Sequence, residues 1–440
     1  MDIQLRWGTL WAGIILLVVV GCKPQILGPE PSLGTLYPSP FYAFGDGYTA
    51  GFSDGDWHEQ SSKGLHEYGQ SYAFPKLLAN QFASFVELPF DQAIATGIGS
   101  GYRSLAAFDE TLCEELPAIS VFSDTVGSAS WQAMAPAALS VHNLGIPHLQ
   151  ASWIDSDSFG RSSPFFHRMA NSQQSDYLDL VGEKDVSFFT LWLGMEDLLD
   201  YAMTGGANPE YPLPEAAVFA DRYAKLLDQL TESRPFPVQG VIGNLPDVTS
   251  FPFFQTISQQ YITSENCARP GPALFIEIDH QTKEVRPATE ADLILLPARE
   301  QIGLDNGLPG ALGLNDKNPI PDRLVLDQEE IKLLQAATIR YNASLDSLIS
   351  VKQEQRTPFL AKADIRFLFQ RLEQTMIVDG IEMSNQFLTG GVFSTDGIYL
   401  TPRGNALLAN AFIEAINEFD PFNAQIPPIS VTDFPGVAFP

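Results

Sequence analysis

The sequence predicts an α/β protein with a mostly parallel sheet and helices on both faces. Three observations lead there. Short apolar runs rich in β-branched and aromatic residues alternate with longer segments of helical period, an order that calls for crossover connections. The chain has 440 residues, 45% of them hydrophobic, enough for a large buried core. Polar signatures also follow two of the apolar runs, and open parallel sheets build their sites at the carboxyl ends of strands.

Taken in order, the chain begins with an apolar segment. Arg6 is the only base near the start, and Trp7 to Val20 is almost unbroken in apolar character. That run is short for a membrane span and suits a signal-peptide core. It ends Val19-Val20-Gly21-Cys22, which is similar to a bacterial lipobox. Cleavage before Cys22 leaves its thiol to carry a diacylglycerol; an uncleaved signal anchor is the other reading. Pro24, Pro29, Pro31, Pro38 and Pro40 then favour an extended tether. The expected organisation is a signal peptide over 1–21, a tether over 22–40 and one domain over 41–440, with excursions around 200–390.

Within the domain, Phe41–Phe44, Val186–Leu193 and Val238–Ile242 read as buried strands. Pro212 to Leu230 reads as a helix, with Phe219, Tyr223, Leu226, Leu227 and Leu230 on one face and prolines at its entrance. Glu329 to Ile349 follows the same logic. The last helix has Thr401 as N-cap and Pro402 at its first position. The segment from Pro270 to Asp327 is long and rich in Pro and Gly, and reads as an excursion from the domain.

Charge narrows the function. Lys and Arg number 25 against 53 Asp and Glu, a net charge of −28. Such a surface repels phosphate backbones and anionic lipid, so nucleic acid is excluded as a partner and any membrane attachment must be covalent or apolar. With Cys22 lipidated, Cys113 and Cys267 remain. They either pair in an oxidising compartment or stand as separate buried thiols. No cysteine or histidine spacing suggests zinc, and no cofactor is expected.

Three polar signatures mark the site region: Gly45-Asp46-Gly47, Gly194-Met195-Glu196-Asp197, and Asp396-Gly397-Ile398-Tyr399 just before the last helix. With FGDGYTAGFSDG, NLGIP at Asn143–Pro147, FFTLWLGMEDLLDYA, GNLPDVTSFPFF at Gly243–Phe254 and GGVFSTDGIYLTPRGNALLANAFIEAIN, they follow one another in a characteristic order. In that order the chain resembles the SGNH (GDSL-type) hydrolases, in a subgroup of lipoproteins from Bacteroidota. The resemblance runs from about Phe41 to the C-terminus. It implies a three-layer α/β/α, flavodoxin-like fold with a five-stranded parallel sheet and long loop insertions.

The resemblance also implies a mechanism. A serine at the first strand end attacks an ester. Backbone N–H groups and an asparagine amide hold the oxyanion, and a histidine three residues after an aspartate takes the serine proton. Carried over position by position, the serine falls on Gly47, which has no nucleophilic atom. The asparagine falls on Glu196, whose carboxylate repels an oxyanion. The histidine falls on Tyr399, a poor general base at neutral pH. Asp396 is retained, and the oxyanion glycine is Gly97 or Gly99. Losing a serine-protease nucleophile or base costs on the order of 10⁶ in turnover. Changes in three separate motifs point to natural loss rather than a single knockout.

The expectation is a non-catalytic protein, lipid-anchored to the outer membrane through Cys22, acting as an interaction or accessory subunit. The resemblance implies an outer-membrane β-barrel as partner, because members of that subgroup resemble companions of fatty-acid-transport-type porins. An acidic surface suits the periplasmic and the exterior face alike. The alternatives are a module that binds acyl, ester or glycan groups, and an esterase with remodelled chemistry. Asp46, Glu196 and Asp396 are candidate ligands for a hard cation. Turn and capping roles for Asp46 and Asp396 are the plainer reading, with Arg103, His142 or His148 as partner to Glu196. His58 and His148 are expected at the cleft rim. Trp57, Trp153 and Trp192 are expected to pack, Trp57 alone sitting on a loop where it can touch a ligand.

Overall fold

The computed structural model describes residues 30–55, 64–95, 141–171, 173–232, 237–261, 271–278, 282–355 and 359–437. Six strands form one parallel sheet: β1 (Phe41–Gly45), β2 (Asp91–Gln92), β3 (Val141–Gly145), β4 (Phe188–Trp192), β5 (Gln239–Gly243) and β6 (Phe359–Ala363). Their order is β6-β5-β4-β1-β3-β2. Without the two-residue edge strand β2, this is the doubly wound order 2-1-3-4-5, which reverses direction beside β1. Among the described residues the sheet therefore has six strands rather than the five expected. The sixth is too short to carry a sequence signal of its own.

Every residue of β1, β3, β4 and β5 is buried, so both faces of the sheet are covered. Helices α1 (Phe74–Phe82) and α6 (Pro402–Glu418) pack together, with Phe74 stacked on Phe412 at 4.7 Å, and α6 lies against β5 and β6. A second group comprises α2 (Met195–Met203), α3 (Ala216–Thr231) and α4 (Gln328–Glu354), where Phe219 stacks on Tyr341 at 4.2 Å. A shorter helix, α5 (Ile365–Glu373), follows β6. Among the described residues no helix is long and apolar enough to cross a membrane.

Two of the predicted helices begin where their capping chemistry places them, while the helix expected from Pro212 starts only at Ala216, without a side-chain cap. Thr401 Oγ1 accepts from Gly404 N at 3.0 Å, with Pro402 at the first helical position. Asp327 and Glu330 form a reciprocal capping box at the start of α4. The excursion over 271–327 forms short antiparallel pairs, Phe275–Ile278 with Glu284–Pro287 and Leu293–Ile294 with Val325–Leu326. A bidentate pair holds it together: Arg286 donates to both oxygens of the buried Asp292, each at 2.7 Å.

The second half of the expected tether is part of the domain. Ser32 pairs with Gln425, Thr35 N donates to Phe422 O, Gln239 holds both Tyr37 N and Thr35 O, and Leu36 is buried. Proline disfavours helix, yet an extended strand can still dock onto a finished surface. Cys22 lies outside the described residues, as do Trp57, His58, Gly97, Gly99, Arg103, Cys113 and Cys267.

Candidate functional site

The register of the sheet levels three strand ends. Gly45 aligns with Gly145 of β3 on one side and with Trp192 of β4 on the other. The chain leaving each end therefore converges on one place, the switch point of the strand order.

Leaving β1, Asp46 caps the single helical turn Gly47–Ala50. Its carboxylate accepts from Tyr48 N at 3.2 Å and reaches across to Met195 N at 3.3 Å. Complete burial, then the neighbouring Glu196, push the Asp46 carboxyl well above the ordinary range. Leaving β4, Gly194 has φ 114° and sits against Phe219 and Leu245, where a Cβ would fall 2.8 Å from the Phe219 ring. This turn starts α2 and puts Glu196 and Asp197 in its first turn, both buried. Asp197 accepts from Ala151 N and Ser152 N, tying α2 to the segment after β3. Burial outweighs those bonds and lifts its carboxyl to about 7.

Ahead of α6, Asp396 accepts from Ile398 N and Tyr399 N at 2.8 Å and from Gly55 N at 3.0 Å. The turn swings the Tyr399 ring against Tyr48 and Phe52, each at 4.8 Å between centroids. The Tyr399 hydroxyl then donates to Glu196 Oε1 at 2.7 Å. Burial, then the Glu196 charge, hold this phenol well above its usual value, so it is a donor and not a base.

Gly47 faces this pair. A Cβ at position 47 would fall 2.9 Å from Glu196 Oε1, 2.9 Å from Tyr399 Cε1 and 3.0 Å from the Tyr399 hydroxyl. The three motif positions Gly47, Glu196 and Tyr399 thus meet in space, and the phenol–carboxylate pair fills the volume that a side chain at 47 would need. Glu196 has Tyr399 as its partner, a pairing that reading the motifs one at a time missed. A signal for it was present: a phenol in one motif restores the donor that a carboxylate in another requires.

The other predicted residues separate. His142 is a packing residue of β3: its ring stacks on Tyr42 and its Nδ1 accepts from Asp91 N, so it is no partner to Glu196. Trp192 is core, its Nε1 donating to Asn244 O. Trp153 differs from expectation and lines a cavity of about 360 Å³ with Phe159, Phe165, Tyr211, His148 and Asp200. Asp46 and Asp396 direct their carboxylates at backbone amides, and the cation set expected from Asp46, Glu196 and Asp396 does not assemble. A different group of three does. A ring nitrogen of His148 and carboxylate oxygens of Glu196 and Asp200 all lie within 4.8 Å of one another. Asp200 went unnoticed in the sequence, although it sits one helical turn beyond Glu196 on the same face.

A buried hydroxyl–imidazole pair also lies nearby. Ser53 Oγ is 3.3 Å from His66 Nε2. His66 Nδ1 accepts from Gly69 N at 3.1 Å, which fixes the proton on Nε2, and Nε2 also faces Ser53 O at 3.2 Å. A nitrogen that already carries its proton cannot take one from Ser53. Burial holds the ring at about 4, hence neutral. The pair is structural.

No protein-family model matches the chain, and no curated protein sequence matches it.

Proposed function

We propose that the chain is a catalytically inert relative of the SGNH (GDSL-type) hydrolases. In this reading it is a lipoprotein held at the outer membrane through Cys22, and it serves an outer-membrane β-barrel as an interaction or accessory subunit. One observation carries the inert reading: Gly47, Glu196 and Tyr399 pack against one another at the switch point of a doubly wound sheet. The flavodoxin-like strand order supports the ancestry. The filled volume at position 47 supports loss of function, because no atom there can attack an ester and a buried carboxylate faces the position where an oxyanion would form.

Two measurements test this reading. Purified protein is offered aryl esters, and the expected turnover is no greater than that of buffer. Ester turnover lost on Tyr399→Phe or Glu196→Gln would overturn the inert reading. Mild-detergent affinity purification of the lipidated chain from its native membrane, with mass spectrometry, is expected to recover a stoichiometric β-barrel. Recovery of the chain alone would refute the accessory role.

A second reading follows from the cavity beside the site. Trp153, Phe159, Phe165 and Tyr211 give it an aromatic wall, suited to binding an acyl or glycan group without turnover. Saturable binding of such a group, lost on Trp153→Ala, would favour it.

A further inference from the structure

The chemistry around Glu196 leaves a feature that the inert-hydrolase reading does not use. Asp46, Glu196 and Asp197 are all buried near the start of α2, and among the described residues no lysine or arginine pairs with them. Buried carboxylates normally gain a cation or give up their charge. Asp46 and Asp197 settle on backbone amides. Glu196 instead shares its surroundings with His148 and Asp200.

His148 is held in an unusual way. It follows β3 with φ 63°, in the left-handed region that non-glycine residues seldom enter and histidine enters more readily than most. Its ring lies 5.7 Å from that of Phe52 and 5.9 Å from that of Phe165. Its Nε2 is buried and has no hydrogen-bond partner. An imidazole beside two carboxylates would ordinarily donate to one of them.

We infer that His148, Glu196 and Asp200 form a binding site for one divalent transition-metal ion of the zinc type. One imidazole and two carboxylates supply three nitrogen and oxygen ligands, the number an open zinc site uses, with a carboxylate in place of one of its usual imidazoles and a fourth position left for water or a ligand. Calcium and magnesium fit poorly, since both seek all-oxygen shells with more ligands. An ion held at about 2.0–2.2 Å from each ligand draws the ligand atoms to roughly 3.5 Å apart. The present separation of 4.8 Å or less needs only a small closure. Both carboxylates are oriented from behind, as metal ligands usually are. Tyr399 donates to Glu196 Oε1, and Gln150 Nε2, itself buried, donates to Asp200 Oδ2 at 2.9 Å. His148 and Asp200 also line the aromatic cavity, so the ion would sit at its edge. The inference stands on this geometry and not on the family reading, and it survives if that reading fails.

The test is calorimetric titration of the full chain in detergent, stripped with chelator and with its cysteines blocked by N-ethylmaleimide. Zinc chloride is expected to bind at one equivalent per chain, while millimolar calcium and magnesium chlorides neither bind at this site nor compete. His148→Ala and Asp200→Asn are each expected to weaken zinc at least tenfold. His142→Ala, outside the group, should bind as the parent does. Glu196→Gln keeps an acceptor for Tyr399 while removing the charge, so it reports even if circular dichroism shows another variant to be unfolded. Absence of saturable zinc binding would overturn the inference. So would folded variants that bind zinc as tightly as the parent.

Discussion

At position 47 the constraint is space, not backbone freedom. Gly47 opens a helical turn and its φ lies outside the left-handed region, so many residues could adopt its backbone. What forbids them is the Tyr399–Glu196 pair. Gly47→Ser is expected to destabilise the protein by about 1–3 kcal/mol through overpacking. The penalty should shrink in a Tyr399→Ala background, the signature of two groups sharing one volume. Tyr399→Phe leaves a buried carboxylate without its donor and should cost about 1–3 kcal/mol. Urea denaturation of the variants measures all three. A serine placed at position 47 alone is therefore not expected to create an active site.

Among the elements, α6 and α2 fix the site. Tyr399 stands two residues before Thr401, whose hydroxyl both caps α6 and donates to Gly391 O at 2.9 Å. Thr401→Ala is expected to cost about 1 kcal/mol, as lost N-caps do. Because the cap also anchors the turn carrying Tyr399, the variant should broaden the NMR signals of the Tyr399 ring as well. A variant with unchanged stability and ring signals would contradict this coupling. The start of α2 collects Glu196 and Asp197, where the helix dipole favours negative charge. That position eases the burial of two carboxylates that would otherwise be costly.

Across the whole molecule, buried carboxyls set the response to pH. Burial lifts Asp197 to about 7, while burial followed by Asp396 lifts Asp54 to about 6, both from an ordinary 3.8. Asp46 moves the same way. The folded chain therefore holds protons more tightly than the unfolded chain, and this contribution to stability is lost as pH rises through 6 to 7. His66 acts oppositely. Its ring is held near 4 against an ordinary 6.5, so below pH 6.5 the unfolded chain gains a proton that the folded chain refuses. The melting temperature is expected to rise from pH 8 to 6.5 and to go on rising below that, because one histidine offsets only one of the three carboxyls. Asp197 alone accounts for on the order of 1 kcal/mol over this range. Asp197→Asn should reduce the slope; an unchanged slope would show that Asp197 does not titrate there.

Much of this was legible in the residues. The runs at Phe41, Val186 and Val238 became β1, β4 and β5 because composition and length alone marked them as buried strands. Thr401-Pro402 announced its helix by capping chemistry that acts within four residues, whereas the capping box at Asp327 emerged only in the structure. Gly47, Glu196, Asp396 and Tyr399 could be named because each sits in a local motif. Three things were not legible. The two-residue β2 exists only because β3 offers it an edge. Residues 32–37 dock because the C-terminal segment at 422–425 is there to receive them. Tyr399 meets Glu196 across 203 positions of sequence, and His148 meets Glu196 and Asp200 across a shorter gap that still spans β4. Local chemistry determined which residues stand at each strand end. Only the parallel register of β3, β1 and β4 decided that those ends are level, and so which phenol, carboxylates and imidazole share one site.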